Sequence, residues 1–284
     1  MQAIAVKRLS LTRTVRLKHL KENKMTRVTK VMAAFLVCMS ISGMVYAGTA
    51  KDTWTDLVGK RSSKRPEYAF VQNNPALPNV LIYGDSISMG YTLQVRKKLK
   101  NKANVYRLHC NGGDTSKVIP AMTKMHKKMA EYWLFKWDVI HFNTGLHDLK
   151  YLDKNNKYDT KKGKQVHSIE DYKKGLKEIV EYFKKIAPDA KIIFATTTPI
   201  PKKSRGRIAG DAVKYNKAAI EVLKGYPEIG INDLYGLTKP NLSKWSHGVH
   251  YMKLGRTAQG DMVANTILNT LEKNEKAESG RRGD

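Results

Sequence analysis

The chain has 284 residues, 41% of them hydrophobic, which is enough to bury the core of one α/β domain. Fifty-two Lys and Arg against 25 Asp and Glu give a formal charge of +27, and two cysteines are too few to staple a fold. The domain must therefore hold together by burial. The charge permits two readings, attraction to an anionic polymer or a lysine-rich solvated surface. The lysines are scattered (Lys97, Lys127, Lys161, Lys173, Lys184) with no interleaved aromatic-basic motif, so the solvated surface is the simpler reading and no nucleic-acid partner is expected.

Residues 1–30 carry nine Lys and Arg against Glu22 alone, and an apolar run follows from Val31 to Val45, ending at Val45-Tyr46-Ala47. A basic region, an apolar block and a small-residue site in that order read as a secretory signal cleaved near Ala47, and so as a secreted or periplasmic protein. Met25 is an alternative start. An organellar transit peptide would also be basic, but it would lack the compact apolar block. That run falls short of the roughly 20 residues of a membrane span, and Cys38 has no small residue before it, so no stable membrane anchor is expected after cleavage. Without this leader the charge is still about +19, and Cys110 is the one cysteine left.

Residues 48–78 are polar and punctuated by Pro66, Pro75 and Pro78, which predicts an extended lead-in. The domain is expected over 79–273. Strand-like runs lie at Asn79–Tyr83, Asn104–Leu108, Val139–Phe142 and Lys191–Thr196, with a weak one near Ile231. Between them the spacing is helical, clearest over Ile169–Ile186, where Tyr172, Leu176, Ile179, Phe183 and Ile186 share a face behind a Ser168/Asp171 cap. Lys253–Leu271 is a last helix, and 274–284 reads as a disordered charged tail. Strand and helix alternate throughout. That order predicts a three-layer α/β/α fold around a five-stranded parallel sheet.

Ligands of such sheets bind beyond the carboxyl ends of the strands. The polar residues there are Gly84-Asp85-Ser86, then Asn111-Gly112-Gly113-Asp114-Thr115, then Asn143-Thr144-Gly145-Leu146-His147-Asp148, with His247-Gly248-Val249-His250 before the last helix. A serine at a strand-to-helix turn exposes its Oγ beside free helix N–H groups, although Gly-Asp-Ser alone reads equally as an N-cap.

Taken in order, Gly84-Asp85-Ser86-Ile87-Ser88, Gly113-Asp114-Thr115-Ser116, Gly145-Leu146-His147-Asp148 and His250 resemble the four blocks of the SGNH (GDSL-type) hydrolases over Asn79 to about Leu271. The resemblance implies a flavodoxin-like sheet and covalent ester hydrolysis, with Ser86 as nucleophile and His250 as base. It also implies an oxyanion hole from Ser86 N–H, Gly113 N–H and the side chain of residue 147. Two blocks depart from the family pattern. His147 stands where the family has asparagine, and His247 stands where it has the aspartate that orients the base.

A Ser86–His250 dyad follows, with Asp148 or Asp85 as alternative sources of the acid. A metal held by His247 and His250 is a weaker reading, because no Glu-bearing helix or cysteine pair accompanies them; no metal or cofactor is expected. Trp245 either walls the pocket or packs the last loop. His109, His126, His141 and His167 read as core or surface residues, and Met89, Met122, Met125 and Met129 as packing.

The expected function is an exported esterase acting on acyl esters, acetyl foremost, of a small molecule or polysaccharide. The alternatives are a lysophospholipase or thioesterase, and a non-catalytic basic module that binds glycan on a degenerate hydrolase fold.

Overall fold

The computed structural model describes residues 48–281, with side chains described to residue 274. The leader, its cleavage site and Cys38 lie outside the described residues. The five apolar runs form β1 (Asn79–Tyr83), β2 (Asn104–Arg107), β3 (Val139–Asn143), β6 (Lys191–Ala195) and β7 (Gly230–Asn232). They pair in the order β2-β1-β3-β6-β7, and every pairing is parallel. Residues of β1, β2 and β3 are buried throughout, as expected for strands covered on both faces.

One face carries α2 (Ser86–Lys98) and α8 (Lys253–Arg281), and the other carries α3 (Val118–Met129), α4 (Ile169–Ile186) and α5 (Asp211–Leu223). The chain leaves β1 toward β2 on one side and returns to β3 on the other. This order reversal opens a crevice at the carboxyl ends of β1 and β3. Helix α4 has the predicted bounds because Ser168 Oγ accepts from Asp171 N at 3.1 Å, and Tyr172, Leu176, Ile179 and Phe183 are buried.

Three expectations need correction. Residues 48–78 are not all extended: α1 (Ala50–Val58) precedes two short 3-10 turns. Trp54, Leu57 and Val58, spaced by three and four, bury one face of α1, and Trp54 Nε1 donates to Tyr68 O at 2.7 Å. The prolines punctuate the segment without stopping it from packing. Second, α8 runs to Arg281, so the backbone of 274–281 is helical where a disordered tail was expected. Third, where only the five-stranded sheet was expected, two minimal hairpins form separate two-stranded sheets: β4 (Tyr151–Leu152) with β5 (Lys164–Gln165), and β8 (Ser246–His247) with β9 (His250–Tyr251). Two short helices, α6 (Leu234–Thr238) and α7 (Leu242–Trp245), lead into the second hairpin. Among the described residues no helix is long and apolar enough to cross a membrane.

Candidate active site

Strand β1 ends in a tight turn that must let Asn143 at the end of β3 come close. A Cβ at Gly84 would sit 2.0 Å from Asn143 Oδ1, so only glycine fits. Asp85 then caps α2 by accepting from Ile87 N at 2.9 Å, and its carboxylate is also held by Asn143 Nδ2 at 3.0 Å. Ser86 is the first residue of α2 and is half-buried, so its N–H belongs to the helix turn that has no intrahelical acceptor.

Arg107, at the end of β2, holds the turn from below. It is fully buried, and Nη2 donates to Gly84 O and Asp85 O at 3.2 Å each and to Ser88 Oγ at 2.8 Å. Nη1 donates to Leu108 O at 3.0 Å and Cys110 O at 2.9 Å. Five acceptors, and no ion pair among the described residues, hold the two terminal nitrogens of this buried guanidinium, while its Nε finds no hydrogen-bond partner. Burial pulls its pKa below the ordinary value. The Asp85 carbonyl belongs to the same peptide unit as Ser86 N–H, so a donor on that oxygen both fixes and polarises the N–H.

His250, the expected base, arrives on the second hairpin. Gly248, at φ +59°, supplies the left-handed residue of the two-residue turn, and His247 and His250 pair directly across it. His250 Nε2 lies 2.9 Å from Ser86 Oγ. Both histidines are exposed, and among the described residues no carboxylate pairs with His250.

The acids proposed to orient this base are engaged elsewhere. Asp148 is fully buried, and Oδ1 accepts from Thr115 N at 2.9 Å and Thr115 Oγ1 at 2.6 Å while Oδ2 accepts from Thr144 Oγ1 at 3.3 Å. Burial raises its pKa against those hydrogen bonds, and it ties the second block to the third. Asp85 is held at the cap. In this geometry neither carboxylate pairs with His250, which contacts Ser86 Oγ.

Trp245 is half-buried against the core, its Cβ 3.0 Å from where a Cβ at Gly255 would sit, and it is absent from the walls of the cleft beside Ser86. It packs the last loop. His141 Nε2 accepts from Asn232 Nδ2 at 3.1 Å in the core, and Met122, Met125 and Met129 are core residues of α3.

Of the expected hole donors, Gly113 N–H is turned onto Asn111 Oδ1 at 3.1 Å, an exposed contact that an incoming oxyanion can replace. His147 follows Leu146, whose carbonyl accepts from Arg207 Nε at 2.8 Å. Burial lowers the His147 pKa against the raising influence of Asp85, so its imidazole is neutral and keeps one N–H to donate. The second block is steadied by His167 Nε2, 3.2 Å from Asp114 Oδ1. Among the described residues no group of three His, Cys, Asp or Glu is arranged to hold a metal.

Sequence reasoning missed Arg107 and placed Asn143 among the strand-end polar residues without giving it a role. Each sits at a strand's carboxyl end, and an arginine within the strand-like run Asn104–Leu108 was the available signal. A cleft of about 550 Å³ opens beside Ser86 and His250, walled by Arg65, Glu67, Met89, Leu93 and Arg256 among others.

No family model and no curated protein matches the sequence. Solved structures do share the fold. A protein from Streptococcus pneumonia provisionally described as a platelet activating factor is 15% identical with a TM-score of 0.53, over 83% of this chain and 98% of that one. The lipase/acylhydrolase from Enterococcus faecalis is 17% identical with a TM-score of 0.52, over 67% of this chain and 95% of that one. The acetyl xylan esterase AlAXEase is 15% identical with a TM-score of 0.50, over 66% of this chain and 99% of that one.

Proposed function

We infer that this chain, which has the fold of the SGNH (GDSL-type) hydrolases, is an exported serine esterase that removes acyl groups, acetyl foremost, from carbohydrate. The reading rests on one observation above the others, the 2.9 Å contact between His250 Nε2 and Ser86 Oγ at the mouth of an open cleft. His250 takes the Ser86 proton as Oγ attacks the ester carbonyl carbon. The negative oxygen that forms is met by Ser86 N–H at the start of α2, by Gly113 N–H released from Asn111, and by the neutral His147. Collapse breaks the carbon–oxygen bond to the sugar, and His250 returns the proton to the departing hydroxyl. Water then repeats the sequence, freeing the acid and Ser86 Oγ.

Carbohydrate as the substrate is supported by the named activity of AlAXEase and by a cleft whose lining mixes apolar Ile87, Met89, Leu93 and Tyr251 with charged Arg65, Glu67 and Arg256. Export is supported by the basic and apolar leader and tested by N-terminal sequencing of the secreted product, which should begin near Gly48. The activity is tested by acetate release from acetylated xylo-oligosaccharides and from 4-nitrophenyl acetate. The parent should hydrolyse both, and Ser86→Ala should hydrolyse neither. Release by Ser86→Ala at more than a tenth of the parent rate contradicts the reading.

A further inference from the structure

On the exposed side of α2 the residues Ser86, Gly90 and Leu93 follow at helical spacing, so the cleft floor continues one turn beyond the nucleophile, a rise of about 5.4 Å to 6 Å. The missing side chain at Gly90 is filled from the neighbouring helix. Arg256 of α8 lays its stem there, with Cγ and Cδ each 3.1 Å from where a Cβ at residue 90 would stand. Any larger residue at 90 would displace that stem. The arginine is thus seated one helical turn from Ser86, and its residue is exposed to the cleft.

The charges nearby do not cancel it. Glu67, the acid of the cleft, is buried and paired with Arg65. Asp261, further along α8, accepts from Gln94 Nε2 at 2.7 Å and pairs with Lys98 at 3.3 Å. Arg256 has no ion pair among the described residues. The cleft therefore carries Arg65 balanced by Glu67, and one uncompensated guanidinium facing the space a substrate would enter.

We propose that the cleft takes an acyl ester on an anionic saccharide, whose carboxylate or sulfate is bound by Arg256 while the ester lies at Ser86. This rests on the esterase reading and adds the substrate class to it. A guanidinium is suited to both anions because its parallel N–H groups match two oxygens at once. A ring whose ester and anion sit on neighbouring carbons, or on adjacent sugars of a chain, spans the one-turn offset between Ser86 and Arg256. The remaining positive charge of the chain draws such a polymer toward the site.

Binding is measured by calorimetry with the Ser86→Ala chain, which leaves the ester intact. The probes are an acetylated oligogalacturonide, a sulfated and acetylated xylo-oligosaccharide, and the same acetylated xylo-oligosaccharide without sulfate. At least one anionic probe should bind roughly tenfold or more tightly than the neutral one, and the preference should weaken as salt is raised. The two anionic arms decide between carboxylate and sulfate. Adding Arg256→Ala should remove the preference, Arg256→Glu should invert it, and Arg256→Lys should keep part of it. Equal affinity for neutral and anionic probes, no binding of any probe, or a preference that survives Arg256→Ala would overturn the proposal. Failure of the parent to hydrolyse any acyl ester would refute the esterase reading and leave the binding result to stand or fall separately.

Discussion

Placing a carboxylate opposite the base should make this enzyme faster by a small and calculable amount. His247 and His250 are directly paired across β8 and β9, which sets their Cβ atoms about 4.5–5.5 Å apart on one face of the hairpin. In His247→Asp the new carboxylate reaches the free imidazole nitrogen of His250, the one not turned to Ser86 Oγ. Both residues are exposed, so the pair is solvated and worth only about 0.2–1 kcal/mol, well short of a buried triad aspartate. That range corresponds to a rise in plateau kcat/KM of up to about fivefold. The same attraction favours the protonated base, so the acidic limb of the pH profile should move upward by no more than about 0.7 pH unit. Profiles of kcat/KM against pH for the parent, His247→Asp and His247→Ala check both numbers, with the alanine variant expected within about threefold of the parent. A loss of about 100-fold or more in both variants would refute the dyad and give His247 a catalytic or metal-binding role.

His147→Ala should lower kcat by roughly 10² to 10³, whereas His147→Asn should retain much of the rate because an amide N–H replaces the imidazole N–H; equal near-parental rates in both would show the hole is completed by other groups. Arg107→Met should lower stability by on the order of 3 kcal/mol, because five acceptors lose their donor while the buried charge disappears; an unchanged urea midpoint would contradict that accounting. Burial lowers the pKa of His141 to about 3 and of His109 to about 4, so both stay neutral in the folded chain while the unfolded chain takes up protons below about pH 6.5. Stability should therefore fall as pH drops from about 6.5 toward those values, by up to about 1.4 kcal/mol per pH unit for each histidine. Asp148, whose pKa is raised, works in the opposite direction, so the decisive comparison is the slope of stability against pH in the parent and in His141→Asn; identical slopes would count against the buried-histidine account.

The sheet was legible because parallel strands buried on both faces leave uninterrupted apolar runs, and the bounds of β1 and α4 follow from such runs and from the Ser168 cap. The four blocks could be ordered at the carboxyl ends of the strands, and Ser86 and His250 do meet there. Less visible was what depends on contacts distant in sequence. The place of Arg107 at the end of a strand-like run was its one local signal; its role comes from the Gly84, Asp85 and Ser88 acceptors that β1–β2 pairing brings to it. Asp148 likewise looked available to the base until Thr115 and Thr144 occupied its oxygens. The packing of α1 escaped notice because three apolar residues give too short a periodic signal among prolines and charges.

If Ser86 is a nucleophile activated by His250, covalent trapping detects it with no assumption about substrate. A fluorophosphonate should add one equivalent to the parent, mapped by peptide mass spectrometry to Ser86, while His250→Ala should react at least about 100-fold more slowly and Ser86→Ala should not be labelled. Labelling of Ser86→Ala at the parent rate, or a parent that is not modified at residue 86, would contradict the account.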